Sequence, residues 1–326
     1  MLLSRCFSIR IANMTYFAYI FPGQGSQSVG MMSAWNDHQS SVIDIYQQAS
    51  DSLGYDLWKL VSEGPEERLN QTEITQPAML CAGVACWQIV SSEHEMPAAT
   101  MMAGHSLGEY TALVCAGSLE LADAVRLVAR RGQLMRSAVA PGHGAMAAII
   151  GLADDDVVKA CALVDKGVVE AVNFNAPGQV VIAGDMAAVE AAMEHARELG
   201  ARRVLALPVS VPSHCSLMQQ AAEGLAIELD KLDIRMPQVP VVHNQNAEVA
   251  ASPDEIRQRL ALQLYQPVKW VSSVLAMQRQ GVGGLIECGP GKVLTGLTRR
   301  IEKTLQSFAI FDAESLASTQ QSLGES

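Results

Sequence analysis

Short apolar runs in this chain alternate with longer stretches in which apolar residues recur every three or four positions. The first kind of spacing predicts strands and the second predicts helices. Tyr16–Phe21 is an apolar run that predicts a strand, and it stops at Pro22-Gly23-Gln24-Gly25-Ser26-Gln27. Val42–Leu53 and Gln76–Val90 carry helical spacing. Ala98–Ala103 predicts a second strand, Glu109–Cys115 is helix-prone, and Leu119–Val139 predicts a long helix. Strands and helices in this alternation predict a parallel sheet covered by helices, an α/β class.

The pattern changes after Pro141-Gly142-His143-Gly144. Ala145–Ile150 predicts a strand, Asp154–Leu163 a helix, and Val168–Asn173 and Val180–Ala183 two strands. Met186–Leu199 then predicts a helix and Arg203–Leu207 a strand. The order β-α-β-β-α-β is that of a small ferredoxin-like α+β unit. It reads as an insertion, because Val239–Asn244, Pro253–Leu264, Ser272–Gln280 and Gly284–Glu287 resume the α/β alternation. The expected organisation is an extension over 1–13, a large domain from 14–140 and 209–312, and a small subdomain over 141–208. The segment 313–326 is expected to be a polar, frayed tail. No apolar run approaches bilayer-spanning length, and the longest, Ala145–Ala153, reads as a buried strand.

Gly104-His105-Ser106-Leu107-Gly108 joins the strand Ala98–Ala103 to a helix. A serine on such a crowded turn has its hydroxyl lifted clear of the sheet, and small residues must flank it. The next backbone N–H points to where an attacked carbonyl would gain charge. The pattern predicts a serine nucleophile that forms an acyl intermediate. A plain turn with a capping serine is the alternative, but a cap needs no glycine on both sides.

A serine nucleophile needs a base, and the chain has seven histidines. His195 lies among charged residues of a helix. His105 neighbours the serine but points away from it. His214 ends Pro208-Val209-Ser210-Val211-Pro212-Ser213-His214, a loop stiffened by two prolines. Spacing alone leaves it open between a base and an ordinary loop or core histidine. Cys215 beside it is no partner, since adjacent side chains point apart. The glycine loop at Pro22–Gln27 fails the dinucleotide template, because Ser28 stands where a third glycine belongs. No histidine or cysteine spacing suits a metal.

Composition narrows the class. Of the 326 residues 49% are hydrophobic and 17% charged, which suits a well-packed globule. The net charge of −11 argues against nucleic-acid binding. An acidic protein partner would need a local basic patch, and Arg202-Arg203 and Lys292…Arg299-Arg300…Lys303 are the candidates. Either cluster alone reads equally well as a solvated face. The cysteine count is odd and there is no C-x-x-C, so the thiols read as reduced and the location as cytoplasmic. Met1–Asn13 carries Arg5 and Arg10 and no acid, which leaves a mitochondrial transit peptide as the alternative.

Five motifs together closely resemble the malonyl-CoA:acyl-carrier-protein transacylases of bacterial type II fatty-acid synthesis. They are Phe21–Gln27, Gly104-His105-Ser106-Leu107-Gly108-Glu109-Tyr110, Arg131-Gly132, Val211-Pro212-Ser213-His214 and Gly289-Pro290-Gly291-Lys292-Val293-Leu294. The resemblance runs from Tyr16 to the Leu305 region. It implies an α/β-hydrolase-like large domain carrying the ferredoxin-like insert. It implies Ser106 as nucleophile, His214 as general base, and the N–H groups of Gln24 and Leu107 as oxyanion hole. It implies that Arg131 grips the malonyl carboxylate and that the main-chain carbonyl of Gln263 orients the histidine. Malonyl-CoA and acyl carrier protein are the implied partners, with transient electrostatic docking, no cofactor, no metal and no membrane; a monomer is expected. His243 falls where relatives often have Asn.

Arg131 can also be read without the resemblance. It falls within the stripe Leu127, Val128, Leu134, Met135, while Arg126 and Arg130 lie on another side. An inward guanidinium must be paired, and position alone favours an internal salt bridge. The rival functions are a serine thioesterase or esterase, a polyketide-type acyltransferase for another extender, and a non-catalytic acyl-CoA sensor.

Overall fold

The computed structural model describes residues 15–209 and 211–325. The extension Met1–Asn13, and any targeting role for it, lies outside the described residues.

Five strands form an all-parallel sheet: β1 (Tyr16–Phe21), β2 (Ala99–Gly104), β7 (Val241–Val242), β8 (Val282–Cys288) and β9 (Gln306–Ile310), in the order β7-β2-β1-β8-β9. Four others form an antiparallel sheet in the order β4-β5-β3-β6: β3 (Gly144–Ile150), β4 (Val169–Ala176), β5 (Gln179–Asp185) and β6 (Arg203–Ala206). The central parallel strands read as unbroken apolar runs because both faces are covered: β1 is buried from Phe17 to Phe21.

Register decides where the site falls. Phe21 pairs with Gly104, Ala103 with Val242, and Ile20 with Glu287. The loops leaving β1, β2, β7 and β8 therefore emerge side by side at the carboxyl end of the sheet, where open parallel sheets form their crevices.

The helix Thr72–Ser92 is, by length and composition, long enough and apolar enough to cross a membrane, contrary to the sequence expectation. Its most apolar window is 83% buried inside the fold, which makes it a core helix here. Gly132 lets the helix Leu121–Ala138 press against it: a Cβ there would lie 2.5 Å from the Glu73 Cα.

Two further expectations are corrected. The strand over Val239–Asn244 shortens to Val241–Val242, because His243 and Asn244 turn away to side-chain partners. The segment after Asp312 is a helix, Ala313–Gly324, rather than a frayed tail. The polar composition hid a capping box: the Asp312 carboxylate accepts from the Ser315 amide at 2.8 Å, and the Ser315 hydroxyl accepts from the Asp312 amide at 3.0 Å. Leu316 buries one face of that helix against the core.

Asp312→Ala should cost about 1 kcal/mol of stability, and Leu316→Ala on the order of 2 kcal/mol. Urea unfolding checks both. Midpoints unmoved by either change would return this segment to a loosely attached tail.

Candidate active site

Ser106 sits between β2 and the helix Gly108–Cys115 with φ at +51°. That left-handed conformation costs a non-glycine residue about 1–2 kcal/mol. The surroundings hold it. Its N–H donates to Asn244 Oδ1 at 2.7 Å, its C=O accepts from Gln263 Nε2 at 3.0 Å, and Asn244 Nδ2 donates to the Gly104 carbonyl at 2.7 Å. The flanking glycines are obligatory for space: a Cβ on Gly104 would run into the Gly108 backbone, and one on Gly108 into the Phe21 carbonyl.

His214 also has a positive φ, +68°, and its N–H donates to the Leu264 carbonyl at 2.9 Å. Its Nδ1 lies 2.6 Å from the main-chain carbonyl of Gln263. A carbonyl only accepts, so Nδ1 carries the proton and Nε2 is left as acceptor. Nε2 lies 2.8 Å from Ser106 Oγ. Residues 108 positions apart thus form a serine–imidazole pair whose third member is a carbonyl. Burial first, and the Arg131 charge second, hold His214 down to about 3. The resting imidazole is neutral and its lone pair faces the hydroxyl.

Arg131 is fully buried. Its Nη1 donates to Gln76 Oε1 at 2.8 Å, and its Nη2 donates to Gln263 Oε1 at 3.0 Å and to Ser106 Oγ at 3.3 Å. The guanidinium carbon stands 5.3 Å from the centre of the Tyr110 ring. Its Nε has no partner among the described residues, and no carboxylate among them forms an ion pair with it. The salt bridge favoured by helical position is absent: neutral amides hold the cation. Burial pulls its pKa below the ordinary arginine value, with Tyr110 and Glu109 opposing that pull, and guanidinium stays charged regardless.

The loop after β1 completes the group. A Cβ on Gly23 would lie 2.6 Å from the His105 carbonyl and 3.8 Å from the Leu107 nitrogen, so this loop rests directly on the serine turn. Among the described residues the amides of Gln24 and Leu107 donate to no protein acceptor. The Gln24 side chain accepts from Thr72 Oγ1 at 2.9 Å, and Thr72 Oγ1 accepts from Gln76 Nε2 at 3.0 Å. The glycine loop is thereby tied to the amide that holds Arg131.

Other residues fall outside this group. His105 Nε2 lies 2.7 Å from Asn175 Oδ1 on β4, away from the serine hydroxyl. His195 is on a helix, 3.3 Å from Glu198. Cys215 is buried and its thiol donates to the Pro212 carbonyl. Among the described residues no cluster of three or more His, Cys, Asp or Glu could hold a metal ion.

Sequence reasoning missed Gln76, Glu109, His243 and Asn244. Glu109 had a visible signal: it is an acid at the head of the apolar stretch Tyr110–Cys115. It is fully buried and accepts from His243 Nδ1 at 2.7 Å, the Asn244 amide at 2.9 Å and Gln263 Nε2 at 2.8 Å. Gln76 similarly sits within the apolar helix Thr72–Ser92.

Known proteins carry the same architecture. The model of the acyl transferase domain family matches residues 18–324. A malonyl CoA-acyl carrier protein transacylase of Escherichia coli O157:H7 is 54% identical over 305 residues, 93% of this chain and 98% of the relative. The crystal structure of an acyl carrier protein S-malonyltransferase from Vibrio cholerae aligns at 52% identity with a TM-score of 0.90, covering 94% of this chain and 100% of that one. A malonyl-transacylase solved in complex with its type II PKS acyl-carrier protein aligns at 49% identity with a TM-score of 0.92, over 94% of this chain and 100% of that one.

The buried histidine has a consequence for acid stability. The unfolded chain takes up a proton on residue 214 as pH falls through 6.5, whereas the folded chain resists until about 3. This side chain therefore withdraws stability between those values and withdraws none above them. In His214→Gln the loss of stability from pH 6.5 to pH 4.5, measured by urea unfolding, should be shallower than in the wild type. An equal loss would mean that the imidazole is not held neutral.

Proposed function

The chain belongs to the acyl transferase domain family, and we infer that it moves malonyl from malonyl-CoA to the phosphopantetheine thiol of acyl carrier protein in fatty-acid biosynthesis. The single observation that carries this reading is the free cation at the nucleophile. Arg131 Nη2 lies 3.3 Å from Ser106 Oγ, fully buried and without a carboxylate of its own. An acyl group that brings a carboxylate supplies what this cation lacks.

In the first half-reaction Ser106 Oγ attacks the thioester carbonyl while His214 Nε2 takes the hydroxyl proton. The carbonyl oxygen gains charge and rests on the Gln24 and Leu107 N–H groups, worth about 3 kcal/mol per donor in comparable sites. The C–S bond breaks, His214 returns its proton to the departing thiolate, and malonyl-Ser106 remains. In the second half the carrier thiol gives its proton to His214, its sulfur attacks the ester, and Ser106 leaves with that proton. The main-chain carbonyl of Gln263 holds the imidazole in the required tautomer throughout. A substrate carboxylate on Arg131 also offsets the charge that keeps His214 reluctant to accept a proton. A hydrolase of neutral esters would have no use for this cation.

The parallel sheet reads as an α/β-hydrolase-like domain, 14–140 and 209–312, and residues 141–208 as a ferredoxin-like insert. The strand order β4-β5-β3-β6 and one helix in each crossover support the second description. The free, mostly buried cysteines fit a reducing, cytoplasmic setting. A monomer docks its carrier transiently, through exposed cations such as Lys292, Arg202 and Arg203.

Ser106→Ala should form no malonyl-enzyme on mixing with malonyl-CoA, as read by intact mass; a surviving adduct would place the nucleophile elsewhere. Arg131→Ala should lower the ratio of malonyl to acetyl transfer about 100-fold, corresponding to roughly 3 kcal/mol of lost discrimination. A preserved ratio in steady-state kinetics with the two thioesters would remove Arg131 from carboxylate recognition.

A further inference from the structure

Gln263 does two separate things. Its main chain serves His214, whereas its side chain lies between Arg131 and Glu109. The amide oxygen accepts from Arg131 Nη2 at 3.0 Å, and the amide nitrogen donates to Glu109 Oε2 at 2.8 Å and to the Ser106 carbonyl at 3.0 Å. Rotating that amide by half a turn would set N–H against guanidinium N–H and oxygen against carboxylate. Glu109 opposes the rotation together with Arg131 and the Ser106 carbonyl, because carboxylate and carbonyl oxygens accept and the guanidinium only donates. The same carboxylate accepts the Asn244 amide, and the Asn244 side chain holds the Ser106 N–H.

We propose that Glu109 is the positioning residue for malonyl specificity: by accepting from the Gln263 side-chain amide it orients that amide, by accepting from the Asn244 main-chain N–H it anchors the segment beside the nucleophile, and so it aims Arg131 at Ser106. Glu109 touches no reacting atom. It acts through the Gln263 dipole, whose oxygen end meets the cation and whose N–H end meets the anion. Interposing a neutral amide keeps the negative charge near enough to support a buried guanidinium. It also keeps the carboxylate from closing directly on the guanidinium, which leaves the cation without an anion of its own. A direct Glu–Arg pair would be the better internal ion pair and the worse receptor. His243 completes the set by donating to Glu109 Oε1.

The geometry makes glutamine and leucine at position 109 behave differently. In Glu109→Gln an oxygen can stay where Asn244 and Gln263 donate, with the new NH₂ turned toward His243. The imidazole accommodates it by moving its proton to Nε2. In Glu109→Leu the His243 ring N–H and the Asn244 main-chain N–H lose their acceptor, and Gln263 Nε2 keeps only the Ser106 carbonyl, so the Gln263 amide is held less firmly against Arg131.

This inference rests on the transferase reading above, and the test separates the two. Wild type, Glu109→Gln and Glu109→Leu are assayed with malonyl-CoA and acetyl-CoA, and malonyl-Ser106 is followed by intact mass. Glu109→Leu should lose malonyl transfer at least tenfold more than acetyl transfer. Glu109→Gln should keep a ratio within about threefold of wild type. A folded Glu109→Leu protein with the wild-type ratio overturns the proposal. So does Glu109→Gln falling as far as Glu109→Leu, since charge rather than acceptor geometry would then be at work. Should Glu109→Leu fail to fold, Gln263→Leu retains the main-chain carbonyl and removes the amide; its malonyl-to-acetyl ratio must fall likewise, and an unchanged ratio overturns the proposal. Absence of any malonyl adduct in wild type would retire the transferase reading itself.

Discussion

A buried positive charge without an anion of its own organises this molecule. Guanidinium cannot give up its proton to escape a low-dielectric site, so its surroundings must supply acceptors. Here they are amide oxygens, Gln76 on one side and Gln263 on the other. Each amide is oriented by the cation and in turn orients its neighbour. From Gln76 the chain of donors passes through Thr72 to the side chain of Gln24. From Gln263 it passes to Glu109 and His243. One charge thus sets the sense of hydrogen bonds on both flanks of the nucleophile.

Backbone geometry makes this arrangement possible. Four loops leave neighbouring parallel strands at one end of the sheet, and each brings a part: the free amide of Gln24, Ser106, the pair His243–Asn244, and the glycine turn after Cys288. Close approach removes Cβ atoms wherever these loops touch. Gly23, Gly104 and Gly108 have no room for one, and a Cβ on Gly289 would lie 3.1 Å from Pro22. The strained φ of Ser106 persists because both its N–H and its C=O are taken by side chains of other segments.

Much of the scaffold was legible in the pattern of the chain. Apolar runs marked β1, β2, β3, β5 and β8 to within a few residues, because burial on both faces excludes polar residues. The capped helix after Asp312 was not legible, because a surface helix with a single buried stripe looks like a polar tail. Helical spacing over Gln76–Val90 marked the helix Thr72–Ser92 but not its membrane-like length and composition, and its burial inside the fold is a tertiary fact.

The local chain determined its own turns and periodicities: the glycine-flanked serine, the stiff proline loop before His214, and an arginine set into an apolar stripe. These follow from sterics and hydrophobic spacing within a few residues, and they need no partner to be read. What Arg131 faces was decided only by the tertiary structure. Position alone pointed to a salt bridge, and the fold instead placed Gln76, 55 residues away, and Gln263, 132 residues away, around it. A buried charge announces that it must be paired; which groups pair with it depends on which distant segments the sheet brings to the same end, and that is set by strand order and register.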